Sequence, residues 1–364
     1  MKIRAIRAIT VDIPLDRPIV MGPIRYESRE YVIVEVATDE GLTGLGFGMT
    51  RNAPIGAIVD RNITPLLLGE DARDTERLWE RVRDANLIIA PGGIFMRALS
   101  AVDIALWDLK AKALGVPLWR LLGGYRTRIP AQVAGGYPAD DVTLDDLATE
   151  VAGYAERGFR YVKIAAGRLD EDTARLRAAR AAAGPATALI HDVHGAWRSA
   201  LDVIPVVRGW EELDLDTLED PFPSELMPQV ERLHAATRIP IALGEDLVGR
   251  SAFRDLLAAR LVDVVRVDAT TIGGISEAIK VIAMASAEGL AVGPHVFPEI
   301  HVHLGAAFGN IRTVEMTDPA RGYEALHRLF STWVRVENGE FIAPETPGLG
   351  VELDWRTVDA YRQR

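Results

Sequence analysis

ALIHDVHGAW, residues 188–197, ends a short apolar run on an acid, Asp192, and then breaks at Gly195. The same construction returns in LDTLEDP at 215–221, with Glu219, and in IALGED at 241–246, with Glu245. The three acids stand 27 and 26 residues apart, the length of one strand, one helix and two loops. Carboxylates at the same end of three successive parallel strands meet at one point. Three carboxylates sharing a site must take up protons or a cation. An all-oxygen set favours a hard divalent ion, Mg²⁺ first with Mn²⁺ as a substitute, over zinc or copper. The competing reading, three capping or surface acids, needs three regular strand ends to coincide.

Working outward, further strand ends read at IPAQVAGG, YVKIAAG, VVRVDAT, AVGPHVF and IRTVEM, with helical stretches such as DEDTARLRAARAAA and ISEAIKVIAMASAEG between strands. Eight strand candidates separated by helices predict an α/β fold, a (β/α)7–8 TIM-type barrel over residues 126–321. In such barrels function sits at the C-terminal strand ends. The polar residues there are Lys163, Asp192, His194, Glu219, Glu245, Asp268, His295 and Glu315.

Residues 1–50 read as strands, with Asp39, Glu40 and Gly41 as a hairpin turn. Residues 55–123 read as helices; AVDIALWDLKAKAL places Val102, Ala105, Leu106, Leu109 and Ala113 near one face, and Gly115-Val116-Pro117 stops it. Strands followed by helices, rather than alternation, predict a separate α+β capping domain at 1–125. The tail, 322–364, contains strand-like FIAPETPGLGVELD and is expected to pack back on that domain.

The 364 residues exceed one small domain and suit a barrel plus a second unit. A formal charge of −11 argues against nucleic acid or an anionic membrane as partner. There is no cysteine, which excludes disulfides, thiolate metal sites and Cys nucleophiles. The N-terminus MKIRAIRAITVDIPL alternates and carries charge, so it reads as a strand rather than a signal peptide, and no apolar run approaches a membrane span. A cytoplasmic protein is the expectation.

DVHGAW, LEDP, LGED, VDATTIGG and PHVF, in that order, resemble the enolase superfamily, and within it the mandelate racemase subgroup. ALWDLKAKALGVPLWRLLGG is similar to the segment that ends the capping domain of these enzymes, so the resemblance runs through essentially the whole chain. It implies a shared first step: a carboxylate substrate bound at Mg²⁺ loses the proton next to that carboxylate. Such a carbon acid is a poor proton donor, and positive charge aimed at the developing oxyanion is the largest available lever.

The resemblance assigns Asp192, Glu219 and Glu245 as metal ligands and His295 with Asp268 as the general-base dyad, Asp268 setting the imidazole tautomer. Lys163 matches the first lysine of the family's Lys-x-Lys motif, which assists the substrate carboxylate. The second lysine is replaced by Ala165, which cannot move a proton. His194, two residues after Asp192, is expected on the same side of the barrel mouth. Asp-x-His at this place is similar to the galactonate and mannonate dehydratases, where the histidine is implied to protonate the departing 3-hydroxyl. Glu315 resembles a carboxylic acid that hydrogen-bonds the substrate carboxylate, which requires a raised pKa.

The implied activity is that of an acid-sugar dehydratase giving a 2-keto-3-deoxy acid, with a racemase, epimerase or cycloisomerase as the alternative and a non-catalytic binding protein as a remote one. The implied partner is a small carboxylate, and the implied assembly a homo-oligomer, dimer or octamer. Specificity is expected from a capping-domain loop, roughly Pro18–Tyr26, with Met21, Arg25 and Tyr26 as substrate contacts, and from Thr50–Ala53. His301 and His303 in PEIHVHL are read as structural, because residues i and i+2 of a helix do not share a face. Asp220 and Asp246, each following a metal ligand, are expected to face loops or the second metal shell.

Overall fold

Tyr31, Val32, Ile33, Val34 and Val36 are each at most 1% exposed, so this strand is covered on both faces. The strand period of two explains how. Tyr31 and Ile33 join the cluster that includes the barrel residues, while Val32, Val34 and Val36 join a second cluster made with the cap helices. The computed structural model describes the whole chain except residues 22, 23, 90, 91, 140 and 364.

The covered strand, β2 (Ile24–Thr38), is the centre of an antiparallel sheet with β1 (Ile3–Met21) and β3 (Thr43–Met49). Pro14 and Pro18 of β1 bring no N–H to the ladder, and the register shifts between Pro14 and Ile19. Pairing then resumes, Ile19 opposite Tyr26 and Val20 opposite Arg25. The segment expected as a loop at Pro18–Tyr26 is therefore the end of a long β-hairpin. Residues 22 and 23, and the Met21 side chain expected as a substrate contact, lie outside the described residues.

The helix Gly93–Ala113 lies against this sheet and against the barrel helix Ile275–Ala287. One-face periodicity was the sequence expectation; with partners on two sides, Ser100, Asp103 and Asp108 are buried as well, and Ala113 is exposed. The sheet approaches so closely that a Cβ at Gly44 would lie 2.0 Å from the Ala105 carbonyl oxygen. Only glycine fits there. Buried Asp108 accepts from Leu45 N–H and Leu349 N–H, each at 2.7 Å, and so ties sheet, helix and C-terminal tail together.

Eight parallel strands follow: β4 (Arg128–Gly135), β5 (Tyr161–Ala165), β6 (Ala188–Asp192), β7 (Leu215–Glu219), β8 (Ile241–Leu243), β9 (Val264–Val267), β10 (Ala291–Pro294) and β11 (Val314–Thr317). They are hydrogen-bonded in chain order from β4 to β10, and β11 returns to pair with β4. The last seam closes through the Val292–Ile311 bridge, with Val292 N donating to Asn310 O at 2.9 Å and Arg312 N to Val292 O at 2.8 Å. A helix fills each of the seven gaps. The first, Leu144–Glu156, opens on a capping box between Thr143 and Asp146 and turns Leu147, Val151 and Tyr154 inward. Among the described residues no barrel helix follows β11, so the architecture is (β/α)7β.

The tail serves both halves. Gln363 N donates to Thr10 O of the cap at 2.9 Å, while β12 (Arg335–Glu337) and β13 (Glu340–Ile342) extend the barrel sheet alongside β4. Among the described residues no helix is long and apolar enough to cross a membrane.

Candidate active site at the barrel mouth

Asp192, Glu219 and Glu245 end β6 and β7 and follow β8, and all are buried. One oxygen from each lies within 4.8 Å of the others. Two buried cations share the floor with them. Lys163 Nζ lies 2.8 Å from Asp192, 3.0 Å from Glu219 and 2.7 Å from Glu315. Arg266 Nε donates to Glu219 at 3.0 Å, and Arg266 also pairs with Glu315. Four carboxylates against two cations leave two negative charges. Among the described residues Glu245 Oε2 is buried with no hydrogen-bond partner, and burial together with neighbouring carboxylates pushes Glu245 and Asp220 well above the usual range. A divalent oxygen-seeking ion balances that charge, and these ligands fit Mg²⁺.

Glu315 departs from expectation. Burial alone would raise it, but Lys163 and then Arg266 outweigh burial and hold it well below the ordinary carboxylate range. It stands paired with two cations, Lys163 and Arg266.

His295 follows β10, and its Nδ1–H donates to Asp268 Oδ2 at 3.0 Å. Asp268 Oδ1 accepts from Thr270 N–H at 2.7 Å and Thr270 Oγ1–H at 2.8 Å. Burial opposes ionisation of Asp268, yet the His295 hydrogen bond and charge keep it well below its ordinary value. That bond leaves His295 Nε2 with its lone pair, 3.4 Å from Glu245 and beside the metal ligands.

His194 reaches the mouth differently from the sequence argument. β6 ends at Asp192, and His194 sits in a left-handed turn at φ 52°, so strand alternation does not place it. Its Nδ1 lies 3.1 Å from Asp192 Oδ1, which also accepts its backbone N–H at 3.0 Å. Its Nε2 is buried without a hydrogen-bond partner among the described residues. Burial lowers the imidazole pKa, with Asp192 pulling the other way. Ala165, the last residue of β5, pairs in register with Asp192.

A cavity of about 500 Å³ opens above this floor, lined by Tyr26, Arg51, Arg97, His194, Asp220 and Glu245 among others. It adjoins a narrow chamber of about 40 Å³ that Arg29, Tyr137, Lys163, His295, Glu315 and Tyr323 help to line. Arg25 lines neither; its side chain is 60% exposed and pairs with Glu27. Asp246 is exposed and lies 3.5 Å from Arg97.

Sequence reasoning missed Arg29, Arg97 and Arg266, and reached Arg51 only as part of the stretch Thr50–Ala53, which does line the cavity through Arg51. Arg266 was within reach: it stands two residues before Asp268 on the inward face of VVRVDAT. His301 also escaped notice as a support of the site. Its Nε2 accepts Ala269 N–H at 3.0 Å and its Nδ1–H donates to Val296 O at 2.6 Å. It joins the loop after Asp268 to the loop after His295. His303 faces elsewhere, between Trp119 N–H and Leu349 O.

Residues 4–123 match the mandelate racemase / muconate lactonizing enzyme N-terminal domain, and residues 146–357 match the enolase C-terminal domain-like family. The chain is 30% identical to D-galactarolactone cycloisomerase of Agrobacterium fabrum, over 100% of this chain and 99% of that one. It is 30% identical to arabinonate dehydratase of Saccharolobus solfataricus, over 92% and 91%. Among solved structures, L-talarate dehydratase of Polaromonas sp. JS666, complexed with Mg and L-glucarate, superposes with a TM-score of 0.90 at 29% identity, covering 100% of this chain and 98% of that one.

Proposed function

The chain belongs to the mandelate racemase and muconate lactonizing enzyme family of the enolase superfamily, and from that premise we propose that it is a Mg²⁺-dependent acid-sugar dehydratase. One observation carries the choice of reaction. A dyad, His295–Asp268, stands beside the carboxylate triad, Ala165 stands where a second lysine base would be, and His194 faces the cavity. Relatives named dehydratases, and one solved in complex with Mg and L-glucarate, support the reading.

Mg²⁺, when bound, supplies positive charge for the substrate carboxylate and the charge that develops on it. His295 Nε2 takes the proton from the carbon next to that carboxylate, and the C–H electron pair moves into the carboxylate. Asp268 holds the tautomer that leaves Nε2 free and steadies the imidazolium that forms. Those electrons then return to form the C2–C3 double bond as the C3–O bond breaks. The hydroxyl leaves as water with a proton from His194 in its imidazolium form, whose charge stands against Asp192, a contribution of typically ~10²–10⁴-fold. The enol tautomerises to a 2-keto-3-deoxy acid. Lys163 keeps a positive charge beside the reacting carboxylate, and Glu315 holds Lys163 in place.

Purified protein with Mg²⁺, screened over aldonic and aldaric acids, should give a semicarbazide-reactive keto acid; none from any of them refutes dehydration. A second reading, an isomerase, draws on the unpartnered Nε2 of His194, which could act as a second base, and on the cycloisomerase relative. Deuterium incorporation at C2 without loss of water would select it. We also propose a cytoplasmic homo-oligomer, for which Leu87, Ile88 and Ile89, at 58%, 100% and 56% exposure, offer apolar surface. Light scattering showing a monomer at micromolar concentration would exclude the assembly.

A further inference from the structure

Immediately after His295 the chain turns through two consecutive non-glycine residues in the left-handed region, Val296 at φ 40° and Phe297 at φ 46°. A β-branched or bulky residue is strained there, by about 1–3 kcal/mol each, and such a turn persists only where its surroundings hold it. His301 holds one side, its Nδ1–H donating to Val296 O. Glu299, 1% exposed, holds the other, its Oε1 accepting Trp333 Nε1–H from the C-terminal tail.

The second oxygen of Glu299 is not accounted for. Among the described residues Oε2 is buried without a hydrogen-bond partner, and so is His327 Nδ1. An unsatisfied buried polar group costs about 1–3 kcal/mol. Both residues line one small cavity of about 20 Å³, together with Thr317, Glu324 and Trp333. That is room for a single water, which takes about two to four polar partners. Burial raises the Glu299 carboxyl to about 7, against its Trp333 bond, and lowers the His327 imidazole, with Arg328 acting in the same direction. Both shifts favour the uncharged form, which suits a neutral water rather than an ion. Val296, Thr317 and Glu324 also line the narrow chamber of His295, so the two cavities share a wall.

We propose that Glu299 and His327 hold one ordered water in this cavity, and that the clasp so formed between tail and turn positions His295. The Glu299 hydroxyl donates to the water, the water donates to His327 Nδ1, and Trp333 anchors the other carboxyl oxygen. Glu299 and His327 act through the strained turn, as positioning residues. The inference rests on the reading of His295 as the base, and it adds the C-terminal tail to the groups that fix the dyad.

The test uses the full chain loaded with Mg²⁺. A crystal structure should show one ordered water between Glu299 and His327; a dry cavity overturns the water site. Positioning is read by proton NMR, on the downfield resonance of the His295 Nδ1–H bonded to Asp268, identified by its loss in His295→Asn. Glu299→Leu, which removes both oxygens, should shift or broaden that resonance and speed its exchange with solvent by about tenfold. Glu299→Gln still accepts from Trp333 and donates to the water, and should keep it. His327→Phe should act as Glu299→Leu does and covers the case in which Glu299→Leu does not fold. An unaltered resonance in these variants overturns the proposal even where Tm falls, since lost packing alone lowers Tm. If His295→Asn still exchanges the C2 proton of galactarate or galactonate in D₂O, the reading of His295 as the base falls. The resonance then still decides whether the clasp fixes the His295–Asp268 bond.

Discussion

Lys163 Nζ lies 2.7 Å from Glu315 Oε1 at the centre of a buried network that also reaches Asp192 and Glu219. This contact pairs Glu315 with a cation, and it makes Lys163 a competitor of any other cation for the same carboxylates. Lys163→Met should therefore bind Mg²⁺ at least about tenfold more tightly by calorimetry, since removing a like charge a few ångströms away is worth about 1–4 kcal/mol. Turnover should fall in the same variant. Unchanged or weaker Mg²⁺ affinity would contradict the network as drawn.

The residual negative charge of the floor predicts a metal-dependent stability. An ion that binds only the folded chain raises Tm with its concentration. Chelation should lower Tm and Mg²⁺ should restore it. Glu245→Gln, which removes a charge from the triad, should lose most of that Mg²⁺-dependent shift. A wild-type melting curve indifferent to Mg²⁺ and chelator would argue against the site.

His301 couples the two halves of the proposed dyad through Ala269 N–H and Val296 O. His301→Ala strands two buried backbone groups at about 1–3 kcal/mol each, and it frees the loops that set the His295–Asp268 distance. Turnover should drop about ten- to a hundredfold, the acid limb of the kcat/KM profile should shift, and Mg²⁺ affinity should hold. His301→Gln, able to accept and donate, should recover part of the rate. A loss of stability with an unaltered pH profile would reduce His301 to a packing residue.

Asp103 joins cap to barrel, accepting from Ser276 N–H at 2.9 Å and Ser276 Oγ–H at 2.6 Å. Burial is the largest influence on it and raises its pKa from 3.8 to about 7, against the Ser276 hydrogen bonds. A carboxyl with a raised folded pKa contributes stability that is fully present below its unfolded value and is lost as pH rises to the folded value. The contribution of Asp103 should therefore decline between about pH 4 and pH 7, by about 1.4 kcal/mol per unit within that window. Asp103→Asn should flatten the difference, seen as a smaller change in urea midpoint across this range. An Asn variant with the full wild-type dependence would reject the assignment.

The barrel was legible because its signal repeats. Apolar runs ending on Asp192, Glu219 and Glu245 at strand-plus-helix spacing specify parallel strands and the end at which polar groups collect. The cap strands were legible for a related reason, β-branched runs broken by Asp39-Glu40-Gly41. The hairpin tip was misread as a loop because prolines at 14 and 18 suggest breaks, whereas the strand absorbs them with a register shift. The helix Gly93–Ala113 hid its second buried face because its inward polar residues find partners, Asp103 on Ser276 and Asp108 on Leu45 and Leu349.

By itself the sequence determined the order of elements, the convergence of three acids and the absence of a second lysine at Ala165, since these are matters of residue type and spacing. Tertiary structure alone decided the state of each charge. Glu315 is paired with two cations from other strands, and Arg29 Nε is buried without a hydrogen-bond partner among the described residues. Both follow from which groups the fold brings together, Glu315 with Arg266 from 49 residues away in the chain and with Lys163 from farther, in surroundings where desolvation makes each missing partner costly.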